Sequence, residues 1–400
     1  MPILFDTRTA PPEQVRFRLA HHLLLGTVAL IVIASVVGRT WDALYHVIIP
    51  FDGFFSPPHV FIYACSTLAA FVVMGMVFSG NIRPAFGQGL KVWILPFDVP
   101  GSLLLVGFGI VLLGFAGLVL DNLWHTNFGL DETNWSMPHA MIGWSIALLT
   151  WGFVAGRLSL AHDKPIRWYS VLLMGYLLMA VTAGSVMGPF FQHRSPAIVE
   201  AISHLPALSL QPEFQHSTRI YLAWNLTRTN PLLLIFAPLW LGAIWACLLR
   251  LDRRWWLMLL IVTLWFLADD NQNNAQFLAT YNNFTLQPVD YSALPVFLPT
   301  VLLLLLRRFR LPDRCAWSIS GVLFGLLIFA QLTQRTQNGE GLLLFATIPA
   351  VLAGKWLGEQ LFARVSNPNS YRQILPLILS TPLIPLCTGL VDLYLRNVTP

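Results

Sequence analysis

The sequence predicts an all-α, polytopic integral membrane protein with about eleven transmembrane helices. Three observations predict it. Hydrophobic residues make up 56% of the 400-residue chain and charged residues only 11%, against about 25% charge in soluble domains. Mean hydropathy is +0.64. Apolar runs near the ~20 residues that cross a bilayer recur along the chain, and basic and acidic loops alternate between them.

The runs fall at 19–40, 58–79, 101–121, 138–160, 168–190, 231–250, 254–269, 291–307, 315–334, 341–361 and 373–395. The one at 254–269 is the shortest. Every second loop is basic, with Arg83 and Lys91, then Arg157, Lys164 and Arg167, then Arg250, Arg253 and Arg254. Arg307, Arg308, Arg310 and Arg314 follow, then Arg364 and Arg372. The intervening loops carry Asp52, Asp131, Glu132, Glu200, Glu213, Asp269, Asp270 and Asp290. Basic loops face the cytoplasm, so the N-terminus is expected inside and, with an odd number of spans, the C-terminus outside. The net charge of +5 is then a topology signal and implies no nucleic-acid partner. The expected location is a bacterial inner (plasma) membrane.

Three regions follow. Residues 1–18, with Arg8, Glu13, Arg16 and Arg18, read as a cytoplasmic tail. No small-residue cleavage site follows the first apolar run, which reads as a retained span. Residues 19–165 read as a duplicated helical-hairpin unit of four spans, and 166–400 as a helical membrane domain with a long outer loop at about 190–230. Cys65, Cys247, Cys315 and Cys387 are isolated and read as small hydrophobes rather than thiolate ligands or disulfides.

The duplication rests on Asp-x3-His-x12-His at Asp42, His46 and His59, nearly repeated with x13 at Asp121, His125 and His139. Each last His sits in a matching context, Ser56-Pro57-Pro58-His59 and Ser136-Met137-Pro138-His139. Each first His follows an aromatic, Tyr45 or Trp124. Residues four apart share a helix face, so Asp42 with His46, and Asp121 with His125, project together from a helix end. Ser at an N-cap followed by Pro starts the next helix and puts His59 or His139 in its first turn. One carboxylate and two imidazoles then converge. Ionisable groups at a bilayer boundary usually mark function; interfacial residues tolerated at helix ends are the bland alternative. Imidazole suits copper, zinc, iron and nickel, and two His with one carboxylate also suit non-haem iron. Four His on neighbouring helices would also suit haem, although haem has no use for the paired Asp.

At these residues the chain resembles the copper-triad membrane subunit of the membrane-bound copper monooxygenases, the particulate methane and ammonia monooxygenase family. That subunit has an Asp-x3-His-x12-His copper triad and a second triad at x3 and x13 spacing. Asp42, His46 and His59 match the first in type and spacing, and His125 and His139 match the two His of the second. Asp121 stands where the family pattern has Asn, with Asn122 adjacent but off register. The resemblance covers the first four spans at most. It implies copper near the extracytoplasmic membrane face, oxidation of a small apolar substrate by O2, electrons from quinol, and partner subunits. Iron or zinc are the alternative metals.

Asp52, Asn122, Asp131 and Glu132 are candidates to support the ligands or relay protons. The loop at about 190–230 holds His193, His204, Glu213 and His216, which read as a lid or as scattered solvated residues. Asp269 to Asn274 form a polar run leading toward Tyr281, Asn282 and Asn283, read as a solvated helix end. His21 and His22 lie at the opposite end of the first span from the motif. No Walker A, GxSxG, HExxH or dinucleotide fingerprint is present, so nothing supports ATPase, serine-hydrolase or zincin chemistry. Two rival classes remain. One is a non-enzymatic copper protein or accessory member of a membrane oxidase complex. The other is a transporter whose outward-facing Asp and His bind substrate or couple protons.

Overall fold

The computed structural model describes residues 12–48, 55–128, 137–161, 167–184, 233–281, 294–333 and 345–398. Almost all of them are helical, and the described part of each of the eleven apolar runs lies mainly on a helix. Helix α1 (Pro12–Ile33) continues through a π-helical segment (Ala34–Gly38) into α2 (Arg39–Ile48). Helix α3 spans Pro57–Phe78. Helix α4 (Gly101–Gly114) likewise passes through a π-helical segment (Phe115–Leu120) into α5 (Asp121–Phe128). Then come α6 (Met137–Ala161), α7 (Trp168–Gly184), α8 (Leu233–Leu251) and α9 (Trp255–Tyr281). The chain closes with α10 (Leu294–Arg308), α11 (Asp313–Thr333), α12 (Thr347–Ser366) and α13 (Tyr371–Val398).

Four helices among the described residues are long and apolar enough to cross a membrane: Glu13–Asp42, Pro57–Phe78, Gly101–Trp124 and Met137–Ala161. These match the first four runs. A helix pairs its interior backbone donors and acceptors within itself, which is what a hydrocarbon environment requires. The exposed positions of α3 include Val60, Leu68, Phe71, Met74 and Phe78. They recur at helical spacing, so α3 presents an apolar stripe of the kind that faces lipid.

Two departures from the expected all-α fold arise in the loop after α3. A 3₁₀ turn (Arg83–Phe86) leads into an antiparallel pair, β1 (Gly89–Lys91) and β2 (Asp98–Pro100). Gly89 pairs with Pro100, Leu90 with Val99 and Lys91 with Asp98. Gly87 enters the hairpin at φ +100°, a conformation that glycine adopts freely. Tyr371 at the start of α13 bonds the carbonyl of Lys91, which ties the hairpin to the last helix.

Helix α6 is the central rod, packing against α1, α4, α7, α12 and α13. One buried cluster joins α1, α3, α4 and α6, with Phe86 and Val99 from the hairpin region. A larger one joins α6 to the later helices around Trp245, Trp317 and Phe324. Within it the Trp245 indole donates to Thr300 Oγ1 at 2.7 Å, and Thr300 donates to the Val296 carbonyl at 2.6 Å. Thr300→Val should therefore cost about 1–3 kcal/mol by leaving a buried indole N–H unpaired, read as a lower melting temperature.

Helices α8 and α12 make the closest pairing. Gly354 and Gly358 are four apart and set against the carbonyls of Leu239 and Ala243, where a Cβ would collide with backbone. This is the small-residue spacing that lets membrane helices approach. Gly354→Val should lose the folded, monodisperse protein in size-exclusion chromatography.

Between α8 and α9, Asp252 accepts from the Arg254 backbone N–H at 2.7 Å and from its Nε at 2.9 Å. Burial pushes the Asp252 carboxyl up, but the Arg254 bonds outweigh it and hold the net value below the usual carboxylate range. A depressed folded value means that this stabilisation is complete above the unfolded value of about 3.9 and is lost as pH falls through the folded one. In melts run between neutral and acid pH, Asp252→Asn should remove this part of the acid sensitivity.

Candidate metal centre

Both Asp-bearing turns follow a π-helical segment. Such a segment adds a residue to the turn and re-aims the side chains beyond it, and it is frequent at functional sites. Asp42 lies in the first turn of α2, and Asp121 opens α5. The second His of each motif comes from the next helix. In α3, Ser56 is the N-cap residue, with Pro57 and Pro58 following it. His59 therefore stands at the third helical position. In α6, Met137 and Pro138 precede His139 in the same register.

The expected Ser cap is only half realised. Ser56 sits at the cap, and its carbonyl accepts from Val60 N–H at 2.9 Å, but its hydroxyl makes no capping bond. A capping hydroxyl accepts from the second or third helical N–H; proline at the second position removes one of these donors, and the other, on His59, is not used. Ser136 lies outside the described residues.

In the first hairpin His59 Nε2 lies 2.9 Å from Asp42 Oδ1, with the side chains 18% and 22% exposed. In the second, His139 Nδ1 lies 3.8 Å from Asp121 Oδ1, and Asp121 is buried. The first pair is in close ion-pair contact and the second is looser. Donors sharing one ion through bonds of about 2.0–2.1 Å sit about 2.8–3.4 Å apart, from octahedral to tetrahedral geometry. The first pair lies inside that range and the second just beyond it. An oxygen and an imidazole nitrogen suit copper, iron or zinc, so the first pair fits such an ion as it stands and the second would have to close by a few tenths of an ångström.

The packing that draws these pairs together is the same in kind. Gly38, four residues before Asp42, faces Ile62, three residues after His59; a Cβ on Gly38 would stand 2.5 Å from Ile62 Cγ1. Gly117, four residues before Asp121, faces Ile142, three residues after His139, at 4.0 Å from a built Cβ. Tyr63, one turn beyond His59, lies with its ring 5.9 Å from the His59 ring and its Cε1 4.0 Å from that Gly117 position. It therefore reaches from the first hairpin to the second. The sequence signal for the two glycines is their shared Gly-x3-Asp spacing, a further element of the repeat; nothing in the sequence marks Tyr63.

His46 and His125 each lie one helical turn beyond their Asp, in α2 and α5; their side chains fall outside the described residues. Among the described residues no three His, Cys, Asp or Glu side chains gather, so each hairpin presents two of its three candidate donors. Asn122 is exposed on α5. Asp52, Asp131, Glu132, His193, His204, Glu213 and His216 lie outside the described residues. The polar run Asp269 to Asn274 belongs to α9, which extends to Tyr281 and packs against α2, the helix of Asp42 and His46. It thus lies within a longer helix rather than at the end of a short one. No family model, curated protein or solved structure matches the chain.

Proposed function

We propose that the protein is a membrane metalloprotein that binds copper at two triads, Asp42–His46–His59 and Asp121–His125–His139, and oxidises a small apolar substrate. In this reading the chain crosses the membrane about eleven times with its N-terminus in the cytoplasm, and both triads lie at the extracytoplasmic ends of a duplicated pair of hairpins. The observation that carries it is the convergence of Asp42 with His59, and of Asp121 with His139, at equivalent turns of two hairpins. The resemblance to the copper-triad membrane subunit of the copper monooxygenases adds the reaction class. Iron or zinc are the alternative occupants.

When bound, copper would supply the redox chemistry for O2 activation. The chain's own part is structural. The two carboxylates anchor charge at a bilayer boundary, the imidazoles fix the donor geometry, and the prolines restrict the backbone just ahead of His59 and His139. The apolar helices supply a dry setting and access for a membrane-dissolved substrate. The test is O2 uptake by copper-loaded protein with a quinol and a short hydrocarbon. Uptake that depends on the hydrocarbon and disappears in His59→Ala supports the proposal. Tightly bound copper without uptake would make the chain a copper carrier or an accessory component of an oxidase. Solute flux without tightly held metal would make it a transporter.

A further inference from the structure

The end of the first span remote from Asp42 holds a second polar cluster that the metal sites do not use. His21 and Asp42 are 21 residues apart on one rod, about 30 Å at 1.5 Å per residue, which is the thickness of a bilayer core. Near His21 lie Arg157, close to the end of α6, and Arg167 and Tyr169 at the start of α7, with the buried Ser170 next to Tyr169 in the chain. Gly156 stands 3.4 Å from Leu24, measured from a built Cβ, so this end of α6 lies against α1 one turn from His21. The His21 ring is 6.4 Å from the Tyr169 ring. Arg167 Nη1 donates to the Tyr169 hydroxyl at 3.0 Å, and His21 lies within electrostatic reach of both Arg157 and Arg167.

Arg157 is 7% exposed, and among the described residues the groups acting on it are the Arg167 guanidinium and the neutral Tyr169 phenol, with no carboxylate. Its Nε, both His21 ring nitrogens and the Ser170 hydroxyl are buried and make no hydrogen bond among the described residues. A buried guanidinium without a counter-ion is costly, and polar groups orphaned together call for a shared partner. That partner must be anionic and must accept several hydrogen bonds, which describes a phosphate. The bilayer supplies one at this depth as a lipid headgroup, and exposed Trp168 beside the cluster is typical of an interfacial belt.

We propose that Arg157, Arg167, His21 and Ser170 form a phosphate-binding site for the headgroup of an anionic lipid. Arg157 supplies the buried charge, Arg167 closes the site from the rim, and Ser170 and His21 complete the hydrogen bonds. The full chain, delipidated in neutral detergent, is titrated with phosphatidylglycerol, with phosphatidylcholine of the same chains and with inorganic phosphate, and binding is read by native mass spectrometry. Saturable phosphatidylglycerol binding is expected, at least tenfold tighter than phosphatidylcholine. It should weaken about tenfold in the surface variant Arg167→Gln, which leaves the core untouched, and more in Arg157→Gln. Saturation by inorganic phosphate at the same site, lost in the same variants, would keep the anion site and assign it a soluble ligand. Equal binding of the two lipids, or unchanged binding in Arg167→Gln together with folded Arg157→Gln, would overturn the proposal and leave Arg157 to a counter-ion within the chain such as Asp163.

Discussion

His59→Ala is expected to weaken copper binding at the first hairpin at least about 100-fold, beyond the roughly 10–100-fold that follows loss of a group merely supporting a ligand. His59 stands at the third position of α3, ahead of the packed body of that helix. Its removal takes away an imidazole that reaches Asp42 at 2.9 Å and leaves the helix start, set by Pro57 and Pro58, intact. Melting temperature should change little while affinity falls. Competition titration against a copper chelator reads the affinity, and a thermal melt on the same sample separates lost binding from lost folding. His139→Ala should act the same way on the second hairpin alone, because its carboxylate partner is Asp121.

Gly38→Ala is expected to disturb the first site without touching a ligand. The new methyl would lie 2.5 Å from Ile62 Cγ1 and 3.3 Å from its Cδ1, whereas carbon atoms pack at about 3.5–4.0 Å. Isoleucine is stiff at χ1, so the rod carrying Asp42 and the helix carrying His59 must separate by about 1 Å at this crossing. The contact between the two side chains spans that crossing and should open. Overpacking of this kind costs about 1–3 kcal/mol, and copper affinity should fall about tenfold with it, a change of about 1.4 kcal/mol in binding. Gly38→Ala with Ile62→Ala restores the space and should recover most of the affinity. Gly117→Ala is the internal control. Its nearest neighbours stand at 4.0 Å, ordinary contact, so the second site should tolerate it.

Helix positions were legible because apolar runs of bilayer length admit little else. The limits of α9 were not. Hydropathy stops at Ala268, but the helix runs on through Asp269 to Asn274 to Tyr281, because polar residues of this kind are compatible with a helix and carry no hydropathy signal for its end. The β1–β2 pair was hidden because strands of three residues leave no alternation to detect, and the Tyr371 contact with Lys91 joins residues far apart in the chain. In the candidate site, the spacing of Asp42 and His59 pointed to convergence, and the Ser-Pro-Pro context pointed to the helix start. The π-helical segments ahead of Asp42 and Asp121 have no signature in residue type. The tight pair at Asp42 goes with a closer crossing than the loose one at Asp121, 2.5 Å against 4.0 Å at the two glycines, and residue spacing does not encode that distance.

Whether the two triads hold copper is decided by metal content. The protein is purified without chelators, exposed to copper and washed, beside His59→Ala and His139→Ala, and each sample is analysed for metal and for folding. Two working sites require about one copper per intact triad, with one lost in each variant and the fold retained. Folded wild-type protein that retains no copper, or the same copper content in all three proteins, would rule the triads out as metal sites.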